Sequence, residues 1–195
     1  GMLLGDQQFL TPVAERLAED EPAVLPILRE AFGMASETQT RELAPSVWPY
    51  LIRPKLLSAE PDACTECIAR IVYADTSLLS ELAQLVDSQH EQHRAMALGA
   101  LRTLLSLDRQ QALDIQLHFS AFMQRLSDPC LSVRHASVLA LHAALNSRAA
   151  LVMQHADLVL PLLYETTVVR EELKRSVRTV SYTHLRAHET PEHLV

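Results

Sequence analysis

Along most of the chain, apolar residues recur every three or four positions, in stretches long enough for helices and without the strict alternation of a half-buried strand. The clearest stretch occurs twice. Gln92-His93-Arg94-Ala95-Met96-Ala97-Leu98-Gly99-Ala100-Leu101 aligns with Ser132-Val133-Arg134-His135-Ala136-Ser137-Val138-Leu139-Ala140-Leu141 at an offset of 40 residues, setting Arg94 on Arg134 and Leu101 on Leu141. The second copy follows Ser127-Asp128-Pro129, in which Asp suits a helix start and Pro a tight turn. Its Val133, Ala136, Ala140, Leu141 and Ala144 then form one apolar stripe.

An apolar helix is predicted before each copy, over Leu78 to Val86 and over Ile115 to Leu126, so the unit is helix, short turn, helix. That unit and its period are those of HEAT-type repeats. Upstream, helices are expected near Leu10 to Ala18, Val24 to Met34, Glu42 to Leu57 and Ala63 to Tyr73. Pro49 and Pro161 sit inside apolar runs, where a proline removes one backbone bond and kinks a helix. A last first helix is expected over Leu151 to Tyr164, with no clear second helix after it. The fold class is therefore all-α, an α-α superhelix of the HEAT/armadillo type with about four repeats.

From Val180 onward the pattern is lost. Val180-Ser181-Tyr182-Thr183-His184-Leu185-Arg186-Ala187-His188-Glu189-Thr190 has no apolar period and holds two of the nine histidines. It reads as one frame of a translated transposase-type sequencing-library adapter, with Pro191 to Val195 its continuation. The expected organisation is a solenoid fragment over residues 1–179 and a non-native tail over residues 180–195. Gly1 falls inside an apparent helix, so both natural ends are expected to lie outside this sequence.

Composition agrees with helices. The 195 residues include only 4 glycines and 5% aromatics against 48% hydrophobic residues, and Leu and Ala supply most of the apolar content. A net charge of −7 argues against a nucleic-acid partner, because phosphate binding rests on Lys and Arg. No run approaches the roughly 20 apolar residues of a membrane span, so no membrane partner is expected. Three cysteines cannot all pair, which favours a reducing compartment, cytoplasm or nucleus.

Two segments carry a family resemblance: Leu126-Ser127-Asp128-Pro129-Cys130-Leu131-Ser132-Val133-Arg134, and Val159 to Val177 with its Tyr164-Glu165-Thr166 and its basic-acidic helix exit. Together they resemble the late HEAT repeats of the cullin-associated, neddylation-dissociated proteins. Weaker likeness runs back through Glu66-Cys67-Ile68, Trp48 and Phe9-Leu10. Cys130 stands where that family has Asp, and a Gly-Pro-Phe segment expected after Val177 is absent. The resemblance implies a scaffold that wraps an unneddylated cullin together with its RING subunit and promotes exchange of substrate-receptor modules. The family's adaptor-displacing hairpin would lie further downstream, so this chain alone is not expected to exchange receptors efficiently. Composition and period alone equally permit another HEAT adaptor, such as a nuclear transport receptor or a phosphatase scaffold.

Second helices line the inner surface of such a solenoid, so repeated positions on them form ladders. Arg70, Arg102 and His142 are expected in equivalent slots, a basic-leaning column suited to an acidic stripe on a partner, and His135 joins them as a candidate contact. The plainer reading is that long basic side chains solvate the outer turns. Arg94 and Arg134 are expected to tie neighbouring repeats together, with Asp128 as a candidate acidic partner. Trp48 and Tyr164 are candidate aromatic anchors that also suit packing between repeats. Cys64-Thr65-Glu66-Cys67 and His90-Glu91-Gln92-His93 superficially suggest zinc, but their gap is long and both cysteines can fill an apolar helix face. His118, His135, His142 and His155, with Asp114 and Asp157, accompany no nucleophile motif and no Gly-rich turn. No enzyme activity, cofactor, metal or small-molecule substrate is therefore expected.

Overall fold

The computed structural model describes residues 13–165 apart from 14, 109 and 112. The exit motif beyond Glu165 and the tail at 180–195 lie outside the described residues, as do 1–12. Residues 15–18 are helical, and Asp20 then turns the chain with a left-handed backbone, φ 56°. The helices that follow are α1 (Val24–Met34), α2 (Glu37–Leu51), α3 (Pro54–Ala59), α4 (Pro61–Ala74), α5 (Leu79–Leu85), α6 (Glu91–Leu107), α7 (Gln116–Gln124), α8 (Leu131–Ser147), α9 (Ala149–Gln154) and α10 (Ala156–Glu165). Short 3₁₀ turns precede α5 at Thr76–Leu78 and follow α7 at Arg125–Ser127. No strand occurs among the described residues.

Two expected helices are corrected. The segment predicted over Glu42 to Leu57 begins earlier and breaks in the middle. Its start is drawn back to Glu37 by a capping box, in which the Gln39 amide donates to Ser36 Oγ (3.3 Å) and the Ser36 amide donates to Gln39 Oε1 (3.1 Å). Its end is forced by Pro54, whose ring pushes Arg53 into an extended conformation (φ −71°, ψ 132°), so α3 starts afresh. Pro45 and Pro49 are both accommodated within α2, on its exposed side, where the carbonyls they leave unbonded can meet water. The segment predicted over Leu151 to Tyr164 divides at His155, whose ring lies 5.2 Å from that of Phe119, giving α9 and α10 in place of one helix.

Packing sorts the helices into two rows. Helix α4 packs on α1 and on α6, and α6 packs on α8, which makes α1, α4, α6 and α8 the row of second helices. Helices α2, α5, α7 and α10 form the row of first helices, with α7 packed on both α5 and α10. The core runs between the rows. Ile68 and Ile71 of α4, Leu98 and Leu101 of α6, Phe119 and Phe122 of α7, and Leu141 of α8 are all fully buried. Each such side chain contributes about 1.5–3 kcal/mol on leaving water, and each is shared between neighbouring repeats, so the array is one continuous core.

Candidate partner-binding groove

The exposed face of the second-helix row carries a groove of about 300 Å³ over α4, α6 and α8. Its register follows the 40-residue repeat. Gln92, Ala95, Met96 and Gly99 of α6 line it, and so do the four residues 40 positions on, Ser132, His135, Ala136 and Leu139 of α8. The far wall comes from Pro61, Asp62 and Thr65 of α4 with Leu57 of α3, and Glu91 and Arg102 stand at the two ends of the α6 stripe. Small residues at 95, 99 and 136 leave the floor low. Gly99 also sets how closely α4 and α6 approach, since a Cβ there would lie 2.9 Å from Thr65 Cγ2. A glycine in mid-helix costs about 1 kcal/mol relative to alanine, and here the close approach needs it.

The candidate contacts are distributed unevenly over this face. Arg102 and His135 line the groove and are exposed. His142 is exposed on α8 but lies outside the groove lining, its ring within 3.4 Å of Asn146 Nδ2. Arg70 is turned toward α1: its Nη2 donates to Glu66 Oε1 at 3.2 Å and lies near Gly33, while Glu66 also pairs with Arg29 of α1 at 3.9 Å. Trp48 is buried in α2.

Arg94 and Asp128 join two repeats. Arg94 Nε and Nη2 donate to Asp128 Oδ2 and Oδ1 at 2.8 and 3.0 Å, a fork-on-fork pair with both residues buried. Arg94 Nη1 donates to the carbonyls of Ser88 and Gln89, at 2.8 and 3.1 Å, in the turn before its own helix. Arg134 repeats the second half of this arrangement 40 residues on, donating to the carbonyls of Asp128 and Pro129 at 2.7 and 2.9 Å. Asp128 also accepts the Cys130 amide at 2.9 Å, so it closes the turn that starts α8. Burial alone would raise the Asp128 carboxyl. The hydrogen bonds from Arg94 and from the Cys130 amide, with the charges of Arg94 and Arg125, outweigh it and hold the group below the usual carboxylate range.

A second inter-repeat pair, with Asp108 buried and Arg148 part-buried, was not anticipated from the sequence. Arg148, just past the end of α8, binds Asp108, just past the end of α6. Asp108 also accepts the Leu113 amide at 3.1 Å, and Gln111 Nε2 donates to the Ser147 carbonyl at 2.9 Å, so the loop after α6 caps the end of α8. The signal was present, because positions 108 and 148 stand one repeat apart with opposite charges. Asp62 and Glu91 were likewise not singled out, since solvated carboxylates at helix starts are common.

Cys64 and Cys67 are fully buried on α4; burial, with a contribution from Glu60, pushes the Cys64 thiol up to about 12, and burial raises Cys67 as well. His93 spends both ring nitrogens on the fold. Its Nε2 donates to the Ile52 carbonyl at 2.7 Å, which leaves Nδ1 to accept from the Ser88 hydroxyl at 2.9 Å. No three His, Cys, Asp or Glu side chains converge as a metal site among the described residues, and no helix among them is long and apolar enough to cross a membrane.

Fold and face together define an all-helical repeat solenoid with one open row of second helices. Proteins named cullin-associated NEDD8-dissociated protein 2 from mouse and from rat are each 28% identical to this chain over 181 residues, covering 90% of the chain and 15% and 14% of their own lengths. The protein of Drosophila melanogaster named cullin-associated NEDD8-dissociated protein 1 is 28% identical over 145 residues, covering 72% of the chain and 12% of its own length. The chain is thus a distant relative of these proteins and spans a small part of their length. No family model and no solved structure matches it.

Proposed function

We propose that this chain is part of a scaffold that binds an unneddylated cullin with its RING subunit, within an assembly factor that promotes exchange of substrate receptors. The observation that carries the reading is the likeness to cullin-associated proteins across 90% of the chain. An open face of second helices, held in register by inter-repeat ion pairs, supports it, because such a face offers a large rigid surface to a partner. The same reading gives a cytoplasmic and nuclear protein, in keeping with three free cysteines. It gives no role to nucleic acid, membrane or small-molecule substrate. A pull-down with the whole chain as bait tests it, using a cullin-RING pair in unmodified and NEDD8-modified forms. Capture of the unmodified form alone is expected; capture of neither overturns the proposal.

A further inference from the structure

The groove has a charge pattern that the scaffold reading does not require. At one end stand two carboxylates, Asp62 at the start of α4 and Glu91 at the start of α6, and neither makes an ion pair among the described residues. The Glu91 carboxylate beside the Cys130 thiol pushes that thiol up. The floor in the middle is apolar and low at Ala95, Gly99 and Ala136, with Met96 and Leu139 beside it. At the other end Arg102 is exposed, and its guanidinium has no ion-pair partner among the described residues. Gly99 and Leu139 occupy the same repeat position. A leucine at 99 like that at 139 would fill the floor, so the opening results from this one departure from the repeat.

Helix geometry gives the spacing. Glu91 to Gly99 is roughly 12 Å along α6, and Gly99 to Arg102 is roughly 4.5 Å further, from 1.5 Å per residue. An extended segment laid along α6 presents every second side chain to the groove. In an extended segment at about 3.3 Å per residue, the first distance corresponds to about four residues and the second falls between one and two; two keeps the acid on the same face as the apolar residue, and the long Arg102 side chain spans the remaining ~2 Å. We infer that the groove over α4, α6 and α8 docks an extended partner segment with a Lys or Arg, a Leu-sized apolar residue four positions along, and an Asp or Glu two positions beyond. The cation meets Asp62 and Glu91, the apolar side chain enters over Gly99 and Ala136, and the acid meets Arg102. Charge pairs at such a rim contribute orientation more than affinity, so binding by one segment is weak and register-specific.

This rests on the reading of the chain as a protein-binding scaffold, and its test is independent of cullin. Fluorescence anisotropy is measured with the whole chain and labelled peptides containing Lys-Ser-Gly-Ser-Leu-Ser-Glu, the same order reversed, a Leu-to-Gly control, and a version with Lys in place of Glu. The expected result is saturable binding of one direction, lost in the Leu-to-Gly control. Arg102→Glu, on an exposed position, should weaken binding about fivefold or more and restore it for the version with Lys in place of Glu. Glu42→Arg on α2, outside the groove, should leave binding unchanged, and circular dichroism of each variant confirms the fold. Absence of binding in both directions, or binding indifferent to Arg102→Glu, overturns the inference. Peptide binding without cullin capture sinks the proposed function and leaves the groove standing; cullin capture by a chain that ignores the peptides does the reverse.

Discussion

Two neighbouring junctions of the second-helix row, α6 on α8 and α4 on α6, are built on the same repeat and held by different chemistry. Between α6 and α8, Arg94 reaches into the next repeat for Asp128 and Arg148 reaches back for Asp108, so one buried and one part-buried ion pair brace that junction at opposite ends. Between α4 and α6 no ion pair occurs among the described residues; Glu66 and Arg70 of α4 pair with each other, and Glu66 with Arg29 of α1. There the helices close on a glycine, Gly99 against Thr65, and His93 ties the turn before α6 to the Ile52 carbonyl. The charged junction specifies register through geometry that only one alignment satisfies. The neutral one specifies it through shape.

The largest effect is expected where the charged junction is broken on one side. Asp128→Ala leaves the buried Arg94 guanidinium unpaired and removes the Cys130 amide's acceptor, and it should cost about 3–5 kcal/mol in urea-unfolding free energy. Replacing both partners, as Arg94→Leu with Asp128→Leu, should recover part of that loss, because the uncompensated charge is gone while the turn bonds remain lost. Next comes the neutral junction. Gly99→Leu forces a side chain against Thr65 and should cost about 1–3 kcal/mol by overpacking, read as a shift in the urea midpoint. His93→Ala should cost about 1 kcal/mol through two lost hydrogen bonds, with the Ile52 carbonyl turning to water.

The smallest effects sharpen the contrast between buried and exposed pairs. Asp87→Ala removes the contact with Arg125 (2.6 Å) from an Asp side chain that is 64% exposed and leaves Arg125 beside Asp128, and should cost less than about 1 kcal/mol. Acid gives a further test. Because Asp128 in the folded chain lies below its ordinary value of about 3.9, its contribution is fully present above that value and is lost as the pH falls through the lowered one. Thermal denaturation between pH 5 and pH 2 should therefore show a loss of stability that Asp128→Asn flattens. An unaltered slope would mean that other carboxylates govern the acid transition.

How much of this was legible depended on the kind of signal each residue gave. The 40-residue offset and the apolar stripes predicted the pairing of first and second helices, and α1 appeared over the expected Val24–Met34, since periodicity reports directly on which helix face is buried. The break after Leu51 was written in Arg53-Pro54 and missed because an apolar run crosses it. The division at His155 has no local marker of comparable strength. It occurs where the chain packs His155 against Phe119, a residue far away in sequence. Within the groove, Arg102 and His135 could be named from the repeat, whereas Arg70 shares its apparent slot with Arg102 but is held against α1 by Glu66.

By itself the sequence determined the helical class, the repeat period, the existence of a second-helix row and the likeness to cullin-associated proteins, because these depend on residue type and spacing along one strand of chain. Only the tertiary structure decided which charges meet and which stay open. Asp108 with Arg148, the approach of Gly99 to Thr65, and the carboxylate pair opposite Arg102 across an apolar floor each depend on helices separated in sequence coming within a few ångströms. At that range desolvation and shape outweigh any preference a single helix carries on its own.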